Sequence, residues 1–316
     1  MAAVGTRGTV TAAFGFNPDA DAQKLRAATK GAGTDEKAII EVLARRSIAQ
    51  RQLIKEAFKR MFGKDLADEL RSELSGNLEK VVLGLLMPAP VYDAHELRDA
   101  IKVRPSHRHR PSFSLPLLLA LTEECCAEFG RSLEDDICGD TSGMFQRVLV
   151  SLLTAGREES TAVDKAQAEK DAQEIFEAGE GRWGTDETAF LTVLCIRGRN
   201  HLLRVFQEYK RISGRDIEDS IKREMSGNLE DVFLAIVKCI RNKPAFFAEQ
   251  LHKSMKGMGT TDSILIRIMV SRAEIDMTDI KEEFAKNYGK TLHSFIKGDT
   301  SGDYRAILLE LCGRGE

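Results

Sequence analysis

The chain repeats itself in a fixed register, and that register constrains its architecture more than any other feature. The loops "KGAGTDE" (Lys30 to Glu36), "GEGRWGTDE" (Gly179 to Glu187) and "KGMGTTD" (Lys256 to Asp262) share a glycine–threonine step. An acid follows each at constant distance: Gly33 to Glu73, Gly184 to Glu224 and Gly259 to Asp299 are each 40 residues. The acid stands three residues before a second glycine in "SELSGNLE", "REMSGNLE" and "GDTSGDYR", and a fourth such stretch, "GDTSGMFQ", surrounds Gly143. A third marker, "FGKD", "FGRS", "SGRD" and "YGKT", places Gly63, Gly130, Gly214 and Gly289 13 residues before the matching SG glycine. Four copies of one unit of roughly 70 to 75 residues therefore fill the chain, which points to one architecture duplicated rather than to unrelated domains.

Within a unit the apolar spacing is helical. Leu78, Val81, Val82, Leu85 and Leu86 follow the i, i+3, i+4, i+7, i+8 stripe, and Leu229, Val232, Phe233, Ile236, Val237 and Ile240 repeat it in the third copy. The third marker reads as a helix stop at glycine followed by the N-cap of the next helix. The third copy divides into five helices near 169–178, 186–197, 201–212, 216–224 and 228–241. No strand alternation competes, so the expected fold class is all-α.

The formal charge is -3, from 46 basic and 49 acidic residues, so no global field draws the chain to nucleic acid or another anionic surface. An anionic partner has to be met through a local device. No run of 18 apolar residues occurs and the start lacks the order of a secretory signal, which predicts a cytoplasmic protein. The six cysteines (Cys125, Cys126, Cys138, Cys195, Cys239, Cys312) show no metal-type pairing and read as free thiols.

The glycine loop lies between the first and second helices of a unit and the acid between the fourth and fifth. Two helical hairpins side by side bring both turns to the same end of a bundle. Calcium takes six to eight oxygens at about 2.3 to 2.6 Å, and glycines let successive backbone carbonyls turn inward, while a carboxylate supplies the charge. Three carbonyls and one carboxylate leave room for water or a ligand oxygen. Thr34, Thr185 and Thr260 read as N-caps of the following helix, strengthened by the acids after them. Other motifs fail on detail. "NYGKT" has Phe284 where a phosphate loop needs glycine, "GAGTDE" lacks the third glycine of a dinucleotide loop, and no EF-hand loop is present.

With its G-x-G-T loops, its acids before T/S-G and its four helical copies, the chain resembles the annexin family over nearly its whole length. The resemblance implies four repeats of about five helices forming a curved disc. It divides the chain into a tail, 1–13, and repeats at 14–88, 89–160, 161–244 (with a linker) and 245–316. It implies reversible, peripheral, Ca²⁺-dependent binding to anionic, phosphatidylserine-rich phospholipid membranes when calcium rises, with lateral self-association on the membrane, no nucleic-acid partner and no enzymatic activity. Carried over by position, the ligands are the carbonyls of Thr29, Gly31 and Gly33 with the Glu73 carboxylate. In the third copy, whose loop is one residue longer, they are those of Gly179, Arg182 and Gly184 with Glu224. In the fourth they are Met255, Gly257 and Gly259 with Asp299. Trp183, the only tryptophan, falls at the third loop's tip as a membrane contact.

The second copy departs from this pattern. After "AHELRDAIK" comes a stretch with prolines at 105, 111 and 116 and no glycine loop, so Asp140 is expected to lack carbonyl partners and 103–129 to be atypical. His107 and His109 there read as part of a solvated basic loop. The rival reading of the whole chain is a calcium-independent helical scaffold for protein partners. An enzyme is disfavoured because no nucleophile, base and orienter set is evident.

Overall fold

The computed structural model describes residues 7–31, 33–102, 132–154, 157–181, 184–257 and 259–313, and every regular element among them is a helix. In chain order these are α1 (Pro18–Ala28), α2 (Glu36–Leu43), α3 (Ile48–Phe62), α4 (Leu66–Glu73), α5 (Gly76–Leu86), α6 (Ala89–Lys102), α7 (Leu133–Asp140), α8 (Gly143–Leu153) and α9 (Lys165–Ala178). They continue as α10 (Glu187–Ile196), α11 (Arg199–Ser213), α12 (Ile217–Glu224), α13 (Gly227–Met255), α14 (Asp262–Arg272), α15 (Met277–Tyr288), α16 (Leu292–Asp299) and α17 (Gly302–Cys312). The all-α expectation holds. None of these helices, among the described residues, is long and apolar enough to cross a membrane.

The punctuation follows the sequence markers. Gly63, Gly214 and Gly289 end α3, α11 and α15 in the left-handed region, with φ of 69°, 71° and 68°, where an L side chain is strained. Two residues on, Asp65, Asp216 and Thr291 cap the next helix through their side chains. In α13 the backbone leaves helical geometry at Asn242 (φ -153°, ψ 96°), whose side chain accepts from the Ala245 N–H while Pro244 follows in the first turn. The long element is thus two helices meeting at a cap.

The chain forms two compact units. The first joins Met1–Tyr92 with Phe247–Glu316, so it pairs the first and last copies. Here α1 packs on α3 and α2, and α5 lies against α14, α17 and α3. Leu25, Ile39, Leu43, Ile54, Phe58, Leu66, Leu70, Leu85, Leu265 and Leu308 are buried, each side chain contributing about 1.5 to 3 kcal/mol by leaving water. The two copies also meet through charge: Arg51 donates to Glu274 at 3.2 Å and to the Leu43 carbonyl at 2.7 Å. The segment from Arg7 to Ala13 spans both copies. Thr9 donates its N–H to the Ala273 carbonyl (2.8 Å) and its hydroxyl to the Leu311 carbonyl (2.5 Å), and Ala13 exchanges two hydrogen bonds with the Gln50 amide (2.9 Å each).

The second unit is Asp93–Phe246. Its frame is α9 against α11 and α10, with α8 packed on α10 and α7. Phe190 and Phe233 meet at 6.0 Å between ring centroids, and both rings, like Tyr209, Ile217 and Ile221, are fully buried. The described cysteines carry free thiols; Cys195, Cys239 and Cys312 are buried, and burial pushes the Cys195 thiol up to about 12. Cys125 and Cys126 lie outside the described residues, as do the irregular stretch expected over 103–129, His107 and His109.

Candidate metal centres

Each glycine loop is closed by one backbone hydrogen bond across its neck. Asp35 N–H donates to the Ala28 carbonyl (2.9 Å), Thr261 N–H to Ser254 (2.8 Å) and Asp186 N–H to Ala178 (2.8 Å). The third loop holds one residue more than the others between the same two posts, as its sequence predicts. Within the necks Gly31 and Gly33 have φ of 121° and 103°, and Gly257 and Gly259 have 117° and 97°. A methyl group on any of these four would meet nothing within 4 Å, so glycine is needed here for the direction of the backbone, not for space.

The acids end the helices that face the loops. Glu73, Glu224 and Asp299 are the last residues of α4, α12 and α16. Across 39 residues the Thr34 hydroxyl donates to Glu73 Oε2 at 3.0 Å. Thr185 Oγ1 donates to Glu224 at its carbonyl (3.2 Å) and its Oε2 (3.3 Å). Thr260 bonds the Asp299 carbonyl at 3.4 Å and its carboxylate more closely. In the third copy a Cβ on Gly179 would stand 3.5 Å from Glu224 Cγ, within ordinary van der Waals contact of the acid.

These threonines were read from sequence as N-caps, and the structure corrects that reading. The caps are one residue later: the Asp35 side chain accepts from Ala38 N–H (2.9 Å) and Asp186 from Thr188 N–H (3.1 Å), while Thr261 occupies the position in the fourth copy without a side-chain cap bond. Freed from capping, the threonine hydroxyl straps the loop to the acid. An aspartate one place on is the better cap because its carboxylate also meets the positive end of the helix dipole.

The expected ligand residues fall at these loops. Thr29 caps the end of α1 and is buried, Gly179 caps α9, and Met255 ends α13 with 4% of its surface exposed. Arg182 and Trp183 lie outside the described residues. Asp140 ends α7 in the same way as its counterparts, but the stretch that would face it, 103–131, is not among the described residues. Among the described residues no three His, Cys, Asp or Glu side chains gather as a ligand set. A cation held here therefore depends on backbone oxygens plus one carboxylate, a hard all-oxygen donor set that suits calcium.

Two further fastenings carried no sequence signal. Glu180 Oε1 accepts from the Ser220 hydroxyl (2.6 Å) and Oε2 lies 3.3 Å from Arg215, tying the third loop to α12 a second time. Beneath it the Tyr209 phenol is pushed up by burial and by the charges of Glu180 and Glu224. In the fourth copy Tyr304 donates to Asp262 Oδ1 at 2.8 Å, and burial, that bond and the neighbouring Asp262 and Asp299 charges raise its phenol. Copies one and three have Leu78 and Leu229 at this position.

Known proteins share this fold. The annexin family model matches residues 20–85, 170–236 and 246–311. The chain is 60% identical to annexin A4 of Sus scrofa over 321 residues, covering 99% of each. Among solved structures it is similar to annexin III, with a TM-score of 0.93 at 44% identity covering 99% of both chains. Chicken annexin V in complex with Zn²⁺ is matched with a TM-score of 0.90 at 51% identity, over 98% of this chain and 99% of that one. The internal repeats, the helical fold, the strapped glycine loops and these matches lead to one conclusion: the chain belongs to the annexin family, whose members bind phospholipid in a calcium-dependent way.

Proposed function

We propose that this chain binds anionic, phosphatidylserine-rich membranes reversibly, through Ca²⁺ held in the loops of its first, third and fourth copies. The carbonyls of Thr29, Gly31 and Gly33 with Glu73 form the first cage. Gly179, Arg182 and Gly184 with Glu224 form the third, and Met255, Gly257 and Gly259 with Asp299 the fourth. The observation that carries this reading is the threonine strap. In all three copies one hydroxyl holds the acid against a loop some 39 residues away, so carboxylate and loop form one site.

The cages supply about five oxygens each, fewer than calcium takes, so a headgroup phosphate oxygen can complete the shell. Bound calcium is what makes a locally acidic loop attractive to an anionic surface. Several weak cages acting on one membrane provide avidity that no single cage has. Trp183, next to Gly184 in the sequence, enters the headgroup layer with its amphipathic ring.

Sedimentation with phosphatidylserine vesicles is the test. Binding is expected with Ca²⁺, reversed by EGTA, and mostly lost in the triple variant Glu73→Ala, Glu224→Ala, Asp299→Ala. Full binding by that variant would remove the cages as its cause, and binding indifferent to calcium would favour a helical scaffold instead.

A further inference from the structure

The fourth loop is fastened from both sides. Thr260 reaches from the loop to Asp299, and Tyr304, in the first turn of α17, reaches back to Asp262 at the start of α14, its hydroxyl 2.8 Å from Oδ1. The two bonds run in opposite directions between the same pair of turns. The exit of the loop and the turn that carries the acid are thus joined twice.

The counterparts of Tyr304 cannot do this. Leu78 and Leu229 hold its place in the first and third copies, and the acids equivalent to Asp262 there, Glu36 and Glu187, make no hydrogen bond or ion pair among the described residues. The fourth copy also differs in its cap. Thr261 makes no side-chain bond where Asp35 and Asp186 cap α2 and α10, so the phenol holds a helix start that the cap residue leaves loose. Burial, the Asp262 bond and the charges of Asp262 and Asp299 all raise the phenol. It therefore remains a neutral donor at physiological pH, close enough to Asp299 to feel its charge.

A loop rich in glycine has more backbone freedom to lose than any other when it closes round a cation. A bond that already fixes the loop's exit lowers that cost, and the saving appears as affinity.

We propose that Tyr304 is a positioning residue of the fourth calcium cage: by holding Asp262 it fixes the end of the loop against the turn that carries Asp299 before the cation arrives. The proposal rests on the calcium reading above and adds a residue that touches neither cation nor lipid.

The test is calorimetric calcium titration of the full chain carrying Glu73→Ala and Glu224→Ala, which leaves the fourth cage, with and without Tyr304→Phe. Loss of the hydroxyl is expected to weaken calcium binding by about three- to tenfold, the worth of one hydrogen bond to a carboxylate. In a Glu224→Ala, Asp299→Ala background, which leaves the first cage, the same substitution should change affinity by less than about twofold. An equal loss there would make Tyr304 a general support of the fold and overturn the inference. Adding Asp262→Ala to the fourth-cage protein should abolish the effect of Tyr304→Phe, because the phenol acts through that carboxylate. An effect that persists with Asp262→Ala overturns the inference, as does an affinity equal to the parent's. Tighter binding does so too, since the phenol would then be keeping Asp262 away from the cation. Failure of the cage itself appears separately, as calcium binding in the fourth-cage protein that survives Asp299→Ala.

Discussion

Asp171 Oδ2 lies 2.8 Å from His201 Nε2 in the interior of the second unit, with Arg197 donating two further bonds to the same carboxylate at 2.8 and 3.1 Å. Burial alone pushes this carboxyl up, but hydrogen bonds from Arg197, Gln167 and His201 together with the Arg197 charge outweigh it and hold the group below the usual aspartate value of 3.8. A depressed folded value means that the stabilisation is present above pH 3.8 and is lost as pH falls through the folded value. Asp171→Asn should cost about 3 kcal/mol near neutrality and flatten the stability profile below pH 3.8. Urea unfolding followed by circular dichroism as a function of pH measures both.

Glu274 sits where the first and last copies meet, accepting from the Ile48 N–H at 2.8 Å and from Arg51 at 3.2 Å. Burial raises its carboxyl above 4.5, more than the Arg51 charge lowers it. With a raised folded value, its contribution to stability is greatest below pH 4.5 and declines as pH rises through the folded value. Glu274→Gln, which keeps an acceptor, should change neutral stability by less than about 1 kcal/mol and abolish that decline. Glu274→Ala should cost about 1 to 3 kcal/mol because the Ile48 N–H and the buried Arg51 guanidinium then lose their shared acceptor. Thermal melts of both variants from pH 4 to 9 separate these outcomes.

The straps can be cut without touching the acids. Thr34→Val preserves shape and removes the donor to Glu73, leaving that side chain free to swing from the loop. Calcium affinity of the first cage should fall by about three- to tenfold, the worth of one charge-assisted hydrogen bond at an exposed site. Unfolding stability should change by less than about 1 kcal/mol. Calorimetric calcium titration of Thr34→Val in a background lacking the other two acids reads the cage directly, and an affinity equal to the parent's counts against the strap.

Gly84 is required for space rather than backbone freedom. A Cβ there would come within 2.7 Å of Tyr92 Cε2, and Tyr92 is buried, with 5% of its surface exposed. Gly84→Ala should destabilise the protein by about 1 to 3 kcal/mol through overpacking. Gly84→Ala combined with Tyr92→Leu should recover part of that loss in equilibrium denaturation.

The repeat register and the helix stops were legible because they depend on residues with singular backbone properties: Gly63, Gly214 and Gly289 hold the left-handed turn that other residues resist. The 40-residue spacing located the acids because helix lengths fix which turns share an end. The role of Thr34 was misread because threonine and aspartate are both good caps, and only geometry shows that Asp35 takes the helix while Thr34 takes Glu73. Glu180 gave no signal, since its partners, Ser220 of α12 and Arg215 of the turn before it, are remote in sequence and a lone glutamate has no period. The joining of the first and last copies into one unit depends on contacts such as Arg51 to Glu274, 223 residues apart, which no local pattern encodes.

Closure of each loop by a single hydrogen bond at its neck has a consequence for how such a protein can change. The third loop absorbs an additional residue with its two posts joined as tightly as in the shorter loops. Length inside the neck is thereby insulated from the bundle that carries it, while the threonine at the loop's end keeps its hold on the acid. Segments can be grafted from one copy to another, or from a foreign donor, as exchangeable inserts on a constant frame, and after duplication each copy was free to drift toward its own ionic taste.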